Sequence, residues 1–533
     1  MRMRDRAIPH AMACAMLSHA ITCAMLCLCG CTQQDDARPE RTRARAQEAP
    51  GDAPVEADAR WWSPGDDRVF PRALSYANES GVVTTLNLAG PTATAGHPFF
   101  TPLGDNGRAC VTCHQPADGM SLSLASIRER WDATRGGDPL FATIDGANCP
   151  SLPRGERASH SLLLERGVLR IARPWPPRDA QGTPITPEFT LEVVRDPAGC
   201  NLDPVHGLRS ATPTVSVYRR PRPATNLKYV TAVGFAFDPK NGLPMPLDPE
   251  TGTRTSGNVL SDVRAPTLAA QARDAMRTHL ALHGDVDPAQ LAAILAFEQQ
   301  LFTAQSRTTV AGSLSEAGAR GGPELLASAE AGVLQGSSDP IWSELIAWKD
   351  LPVPNAADAQ AARRRSIGRG AALFSTRTFL VTSAAGVTDL GFGNPVRNSC
   401  AFCHNMHRVG LDVAPGQVDI GTSNEPAASE SDKKPVTDLP LFKLTCREGA
   451  RAHPHLGRVI FTHDPGYALT TGKCIDIGKI TAQQMRGLAA RAPYFAHGGA
   501  KTLRELVDFY DTRFEIELSD LEKDDLTHFL EAL

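Results

Sequence analysis

The chain has 533 residues, 42% of them hydrophobic and 21% charged, with a formal net charge of −4. That length allows two or three domains with sizeable cores, and so small a net charge gives no support to nucleic-acid binding. Met1 to Arg6 carries three arginines, and an apolar run rich in Ala, Met, Leu and Ile then ends at Leu28-Cys29-Gly30-Cys31. This pattern predicts a signal peptide over 1–31 and an exported protein. Small residues ahead of Cys31 suit a bacterial lipobox, with Cys31 as the acylated first residue of the mature chain; plain signal-peptidase cleavage is the alternative. No later stretch approaches the ~18–20 apolar residues of a membrane span, so the expected attachment is lipid, at the outer membrane and facing the periplasm. Residues 32–60 contain almost no large apolar side chain and read as a flexible tether.

Two copies of one pentapeptide come next, Cys110-Val111-Thr112-Cys113-His114 and Cys400-Ala401-Phe402-Cys403-His404. Cys-x-x-Cys-His is the attachment signature of c-type haem. On a helical turn the spacing brings both thiols to one face for thioether bonds to the porphyrin vinyl groups, and the histidine beside them ligates the iron. A thioredoxin-like redox pair and half a zinc site are the competing readings, but neither needs the histidine. The expected cofactors are therefore two covalently bound c-type haems.

Of thirteen cysteines, five (Cys14, Cys23, Cys27, Cys29, Cys31) lie in the leader and four in the motifs, which leaves Cys149, Cys200, Cys446 and Cys474. In an oxidising compartment the expected pairs are Cys149 with Cys200 and Cys446 with Cys474, each within one haem segment; the other pairings and free thiols stay open. Residues 150–225 and 238–258 are rich in Pro, Gly and Arg and read as long loops covering a haem. Asp287-Pro288 then supplies an N-cap and a proline at the first helical position, with Leu291, Ile294, Leu295, Leu301 and Phe302 on one helical face. Gly-, Ser- and Ala-rich residues 311–340 mark a boundary.

Near the C-terminus, Thr502-Leu503-Arg504-Glu505 reads as a capping box opening a helix whose inner face is Leu503, Leu506, Val507 and Tyr510. Ser519-Asp520-Leu521-Glu522 is a second box, followed by Leu526, Phe529, Leu530 and Leu533 at helical spacing. The expected class is mainly α, with two cytochrome c-like haem domains, 61–340 and 341–533, and long irregular loops. What fills the sixth position of each iron decides between carrier and enzyme. On pattern alone Tyr510 is a core residue whose hydroxyl finds a partner.

The run Leu488-Ala489-Ala490-Arg491-Ala492-Pro493-Tyr494-Phe495-Ala496-His497-Gly498-Gly499, continuing to Tyr510 and Leu530, resembles the C-terminal signature of bacterial di-haem cytochrome c peroxidases and their MauG-type relatives. Asp464-Pro465-Gly466, Thr471-Gly472-Lys473-Cys474, Leu103-Gly104 and Tyr218-Arg219-Arg220-Pro221 extend the likeness over most of 95–310 and 360–533. The resemblance implies one haem that transfers electrons, one that meets peroxide or another small oxidant, a small redox protein as donor, and a calcium ion in many members. Tyr510 falls where peroxidases place an axial methionine and MauG-type enzymes a tyrosine, which implies Tyr510 as a ligand of the second iron.

The departures are specific. Gln271 matches the glutamine of the family's distal helix, but the glutamate ten residues on, which assists peroxide cleavage, is Ala281 here. His279, on roughly the same face as Gln271, could move protons instead; a surface or capping histidine is the plainer alternative. His497 stands one place beyond the family's histidine. His206 resembles a displaceable ligand of some peroxidases. Phe237-Asp238 replaces the family's Trp-Asp between the haems, and the usual calcium-binding asparagine is missing near Ala211. The expected function is thus a peroxide-reactive di-haem oxidoreductase, with a non-enzymatic electron-transfer cytochrome as the alternative.

Overall fold

Where β-branched residues run together the chain extends. Ala73–Asn78 and Gly81–Asn87, the latter carrying Val82-Val83-Thr84-Thr85, form a hairpin that pairs with Leu301–Thr308 and then with Gly312–Ser313 in an antiparallel sheet. Gly81, at φ +151°, makes the hairpin possible: a Cβ there would lie 2.1 Å from the Arg307 carbonyl oxygen on the neighbouring strand. The computed structural model describes residues 60–179, 181–232, 257–329, 341–355, 357–412, 416–425 and 436–533. The leader with Cys31, the tether up to residue 59 and Phe237-Asp238 lie outside the described residues. No helix among the described residues is long and apolar enough to cross a membrane.

A second four-stranded sheet has the order Asn424–Glu425, Val459–Thr462, Leu441–Cys446, Phe189–Arg195. Three of its strands come from the second half of the chain and one from the first, with Phe442 opposite Val193 and Cys446 opposite Phe189. Phe189, Val215, Val217, Phe442, Leu444 and Ile460 form the core beneath it. Leu169–Pro174 and Thr214–Arg219 make a separate antiparallel ribbon. Disulfides join Cys149 to Cys200 and Cys446 to Cys474, the pairs expected from sequence.

The helices begin where the chain provides caps. Thr267 accepts from the Ala270 N–H to open Leu268–Thr278, and Asp287 accepts from Ala289 to open Pro288–Gln299. The Ser519/Glu522 box is complete at the start of Asp520–Glu531, whereas Glu505 reaches past Thr502 to the Lys501 N–H. Asp520–Glu531 packs on Ala359–Thr376 at Gly370, where a Cβ would lie 2.0 Å from the Asp525 carbonyl oxygen; Trp342, Ile367, Phe374 and Phe529 fill the surrounding core.

The mainly α expectation is overturned: among the described residues 29% are helical and 18% are in strands or bridges, spread over several sheets. The physical reason lies in segments taken for loops. Residues 150–225 hold a helix, Ser161–Arg166, and three strands, each short and flanked by Pro or Gly, so that alternation of apolar and polar residues is brief. Leu301 and Phe302 are likewise not on the preceding helix, which ends at Gln299; they begin the strand that carries on from it.

Candidate cofactor sites

Both pentapeptides fold as one tight turn. The Cys113 and His114 N–H groups donate to the Cys110 carbonyl oxygen (3.2 and 3.1 Å), and the His404 N–H donates to that of Cys400 (3.1 Å). Each histidine then meets a carbonyl six residues further on, His114 Nδ1 with Met120 O at 3.1 Å and His404 Nδ1 with Gly410 O at 2.7 Å. A carbonyl can only accept, so Nδ1 carries the proton in both and Nε2 keeps a lone pair for a metal. Burial lowers both imidazoles, His114 to about 4, and preserves that neutral form. Burial also pushes the Cys113, Cys400 and Cys403 thiols up to about 12, the opposite of what a redox-active Cys-x-x-Cys pair requires.

Each motif opens into its own cavity. The first, of about 180 Å³, is bordered by Cys110, Cys113, His114, Gln271, His279 and Glu298. Gln271 and His279 come from the Leu268–Thr278 helix and the residue that closes it. His279 Nδ1 lies 2.5 Å from Asp145 Oδ2. Glu298 stands on the buried face of Pro288–Gln299, one turn after Ile294, and burial pushes its carboxyl up to about 8. The fold therefore brings Gln271 and His279 to one wall, and adds a carboxylic acid that a helical reading of 288–299 could have found as a charged residue on an apolar stripe.

The second cavity, of about 250 Å³, is bordered by Cys400, Cys403, His404 and Tyr510, with Phe374, Phe379, Phe495 and Phe514 among its walls. Tyr510 projects from Leu503–Phe514, and burial raises its phenol above the ordinary range. The expected inward position of Tyr510 is what the structure has.

Arg220, Ser261, Gln483 and Gln484 border both cavities, so one layer of side chains separates them. Arg220 and Arg491 are buried and Arg222 partly so, and among the described residues none pairs with a carboxylate. Arg220 Nη2 donates to the Leu122 and Arg491 carbonyls while its Nη1 has no partner, and the Nε of Arg222 is also unpartnered. Burial lowers Arg220 and Arg222 to about 9 and Arg491 to about 10, with mutual repulsion adding to it for Arg220 and Arg222. Unpaired buried guanidinium groups are costly and call for an anion. Arg219, by contrast, is fully matched, with Asp464 on Nε and Nη2 (2.6 and 2.8 Å) and Asp262 on Nη1 (2.7 Å). Thiols, an oriented imidazole, apolar walls and waiting guanidinium groups are together the donor set that an iron porphyrin with two carboxylates would need.

Other candidates fall elsewhere. His206 borders neither cavity; its N–H donates to Asp203 Oδ1 at 2.8 Å. His497 stacks on Phe495 and is lowered to about 3 by burial and by Arg166, outside both large cavities. Asp145 and Arg108 were invisible as site residues in the sequence, because only the tertiary fold carries Asp145 to His279. Among the described residues no group of three or more His, Cys, Asp or Glu side chains is arranged for a metal ion.

No family model and no curated protein matches the chain. Among solved structures it is similar to a crystal structure of a MauG-like protein associated with microbial copper homeostasis, at 16% identity over 58% of this chain and 80% of that one, with a TM-score of 0.24. A likeness of that size carries no structural argument.

Proposed function

We propose that the protein is an exported di-haem c-type oxidoreductase that reacts with peroxide at the first cavity and holds or passes electrons at the second. The observation that carries this reading is the repeated unit: a Cys-x-x-Cys-His turn, a histidine aimed by the carbonyl six residues on, and an apolar cavity, built twice on either side of one layer of side chains. Cys110 and Cys113 would anchor one haem and Cys400 and Cys403 the other, and His114 and His404 would each supply Nε2 to the iron. A haem in the first cavity would supply the electrons that break the O–O bond of peroxide.

The chain's own groups do the rest. His114 and His404 present Nε2 with the tautomer already set. Arg220, Arg222 and Arg491 would pair with the porphyrin carboxylates, which would compensate their buried charge. Gln271 and His279 border the space where peroxide would enter, one able to hydrogen-bond it and the other to take its proton. Tyr510 would complete the second site, where an anionic oxygen donor stabilises ferric iron. Among the described residues, those common to both cavities include no tyrosine or tryptophan that could serve as an oxidisable stepping stone. Export to an oxidising compartment is supported by the two disulfides, and Cys31 would be the lipid anchor. A small redox protein is the electron donor this reading requires.

Electron paramagnetic resonance of the ferric protein, alone and with cyanide, tests the proposal. A high-spin signal converted by cyanide is expected, followed by a stopped-flow spectral change with peroxide in ferric or half-reduced protein. Ala281, which cannot do the work of the family's glutamate, favours a second reading as an electron carrier. Two low-spin signals indifferent to cyanide, with no response to peroxide, would establish that one instead.

A further inference from the structure

Asp145 lies in the turn after Ala142, with only 4% of its side chain exposed, and both carboxylate oxygens are engaged. Oδ1 accepts from the Arg108 guanidinium and Oδ2 faces His279 Nδ1 at 2.5 Å. Arg108 cannot turn away, because its Nε donates to Pro139 O at 2.8 Å and its Nη2 to Leu140 O at 2.6 Å. Burial pushes the Asp145 carboxyl up, but Arg108 and His279 outweigh it and hold the group below the usual carboxylate range. An ionised carboxylate can only accept, so Nδ1 of His279 bears hydrogen. The ring borders the first cavity, and Asn106 and Arg108, just ahead of the haem motif, donate to the His279 carbonyl.

We propose that Asp145, clamped by Arg108, is a positioning residue that makes His279 the proton acceptor of the first cavity for small weak acids of the hydroperoxide class. This inference rests on the peroxide-site reading. In the step, the O–H bond of HOOH breaks, its electron pair stays on oxygen as HOO⁻, and the proton joins His279 Nε2. The imidazolium so formed is balanced by the Asp145 carboxylate, and no electron is exchanged. The arrangement follows the logic of an acid that orients a histidine base, and it explains how the site can work with Ala281 in place of a glutamate. The charged and titratable groups around His279 are Asp145, which faces its Nδ1, and Arg108, Arg264, His114 and Glu298, which border the same cavity.

Two ligands separate proton transfer from mere access. Hydrogen cyanide must lose a proton to bind ferric iron as cyanide, whereas carbon monoxide binds ferrous iron without one. In the holoprotein, Asp145→Asn and His279→Gln should each slow cyanide association ~10–100-fold and flatten its pH profile, with the double variant no slower than either single one. Carbon monoxide association should stay within about 2-fold of wild type. Equal slowing of both ligands, or an unchanged cyanide profile in Asp145→Asn, overturns the positioning role. Should Asp145→Asn fail to fold for want of an anion beside Arg108, the pair Arg108→Met with Asp145→Asn removes both charges and reads the same rates. A wild-type protein that binds neither ligand takes down the peroxide-site reading and this inference with it; one that binds both while the variants behave like wild type takes down this inference alone.

Discussion

The two cavities share an attachment turn and a way of aiming the histidine, yet their walls differ in kind. The first is bordered by Gln271, His279, Glu298 and Arg264, groups that carry or exchange protons. The second is bordered by Phe374, Phe379, Phe495 and Phe514, with the Tyr510 hydroxyl among them. A motif that only fixes a haem leaves its chemistry to these walls. Gln271, His279 and Glu298 suit the making and breaking of O–H bonds, and the aromatic side chains around Tyr510 suit one fixed coordination state.

The sharpest test of this division removes one haem at a time. Cys113→Ala and Cys403→Ala should each lower the mass of the purified protein by one haem, and only Cys113→Ala should abolish the spectral response to peroxide. Loss of that response in Cys403→Ala alone would reverse the assignment. Next in size is the common frame. Arg219→Ala leaves Asp464 without its cation, while Asp262 keeps Arg264 and Arg173, and should cost ~3 kcal/mol in denaturant unfolding, with both sites disturbed together.

Glu298 gives the first cavity a pH signature of its own. Its folded pKa, about 8, stands above an unfolded value of about 4.3, so the native state binds the extra proton. Stability is then complete below about pH 4 and falls as pH rises toward 8, by at most about 1.4 kcal/mol per pH unit. Urea unfolding of Glu298→Gln should lose that slope. The smallest change in stability, about 1 kcal/mol or less, is expected for Tyr510→Phe. Its mark is spectroscopic: the second haem's ferric signal should shift and its reduction potential rise, while cyanide binding at the first stays as in wild type.

Local motifs were more legible in the sequence than the architecture. The pentapeptides, the disulfide pairs and the inward Tyr510 were readable because each depends on local spacing or on counting. Gln271 and His279 reached the cavity because one helix face delivers both. The sheets were missed because a strand of six or seven residues, such as Phe189–Arg195, shows only a brief alternation, and its partners lie some 250 residues away in the chain. Asp145 was missed for the same reason: nothing near it in sequence tells what it will face.

The placement of strand Phe189–Arg195 beside Leu441–Cys446 also governs the order in which the molecule can be completed. Gln483 and Gln484 finish the first cavity, and Arg220 and Ser261 finish the second, so each half supplies part of the other's wall. A chain that has emerged only as far as residue 400 can close neither. On the proposed di-haem reading, both motif cysteine pairs would thus stay accessible for haem attachment until the last segments arrive, and a protein truncated before residue 441 should accumulate open, protease-sensitive chains.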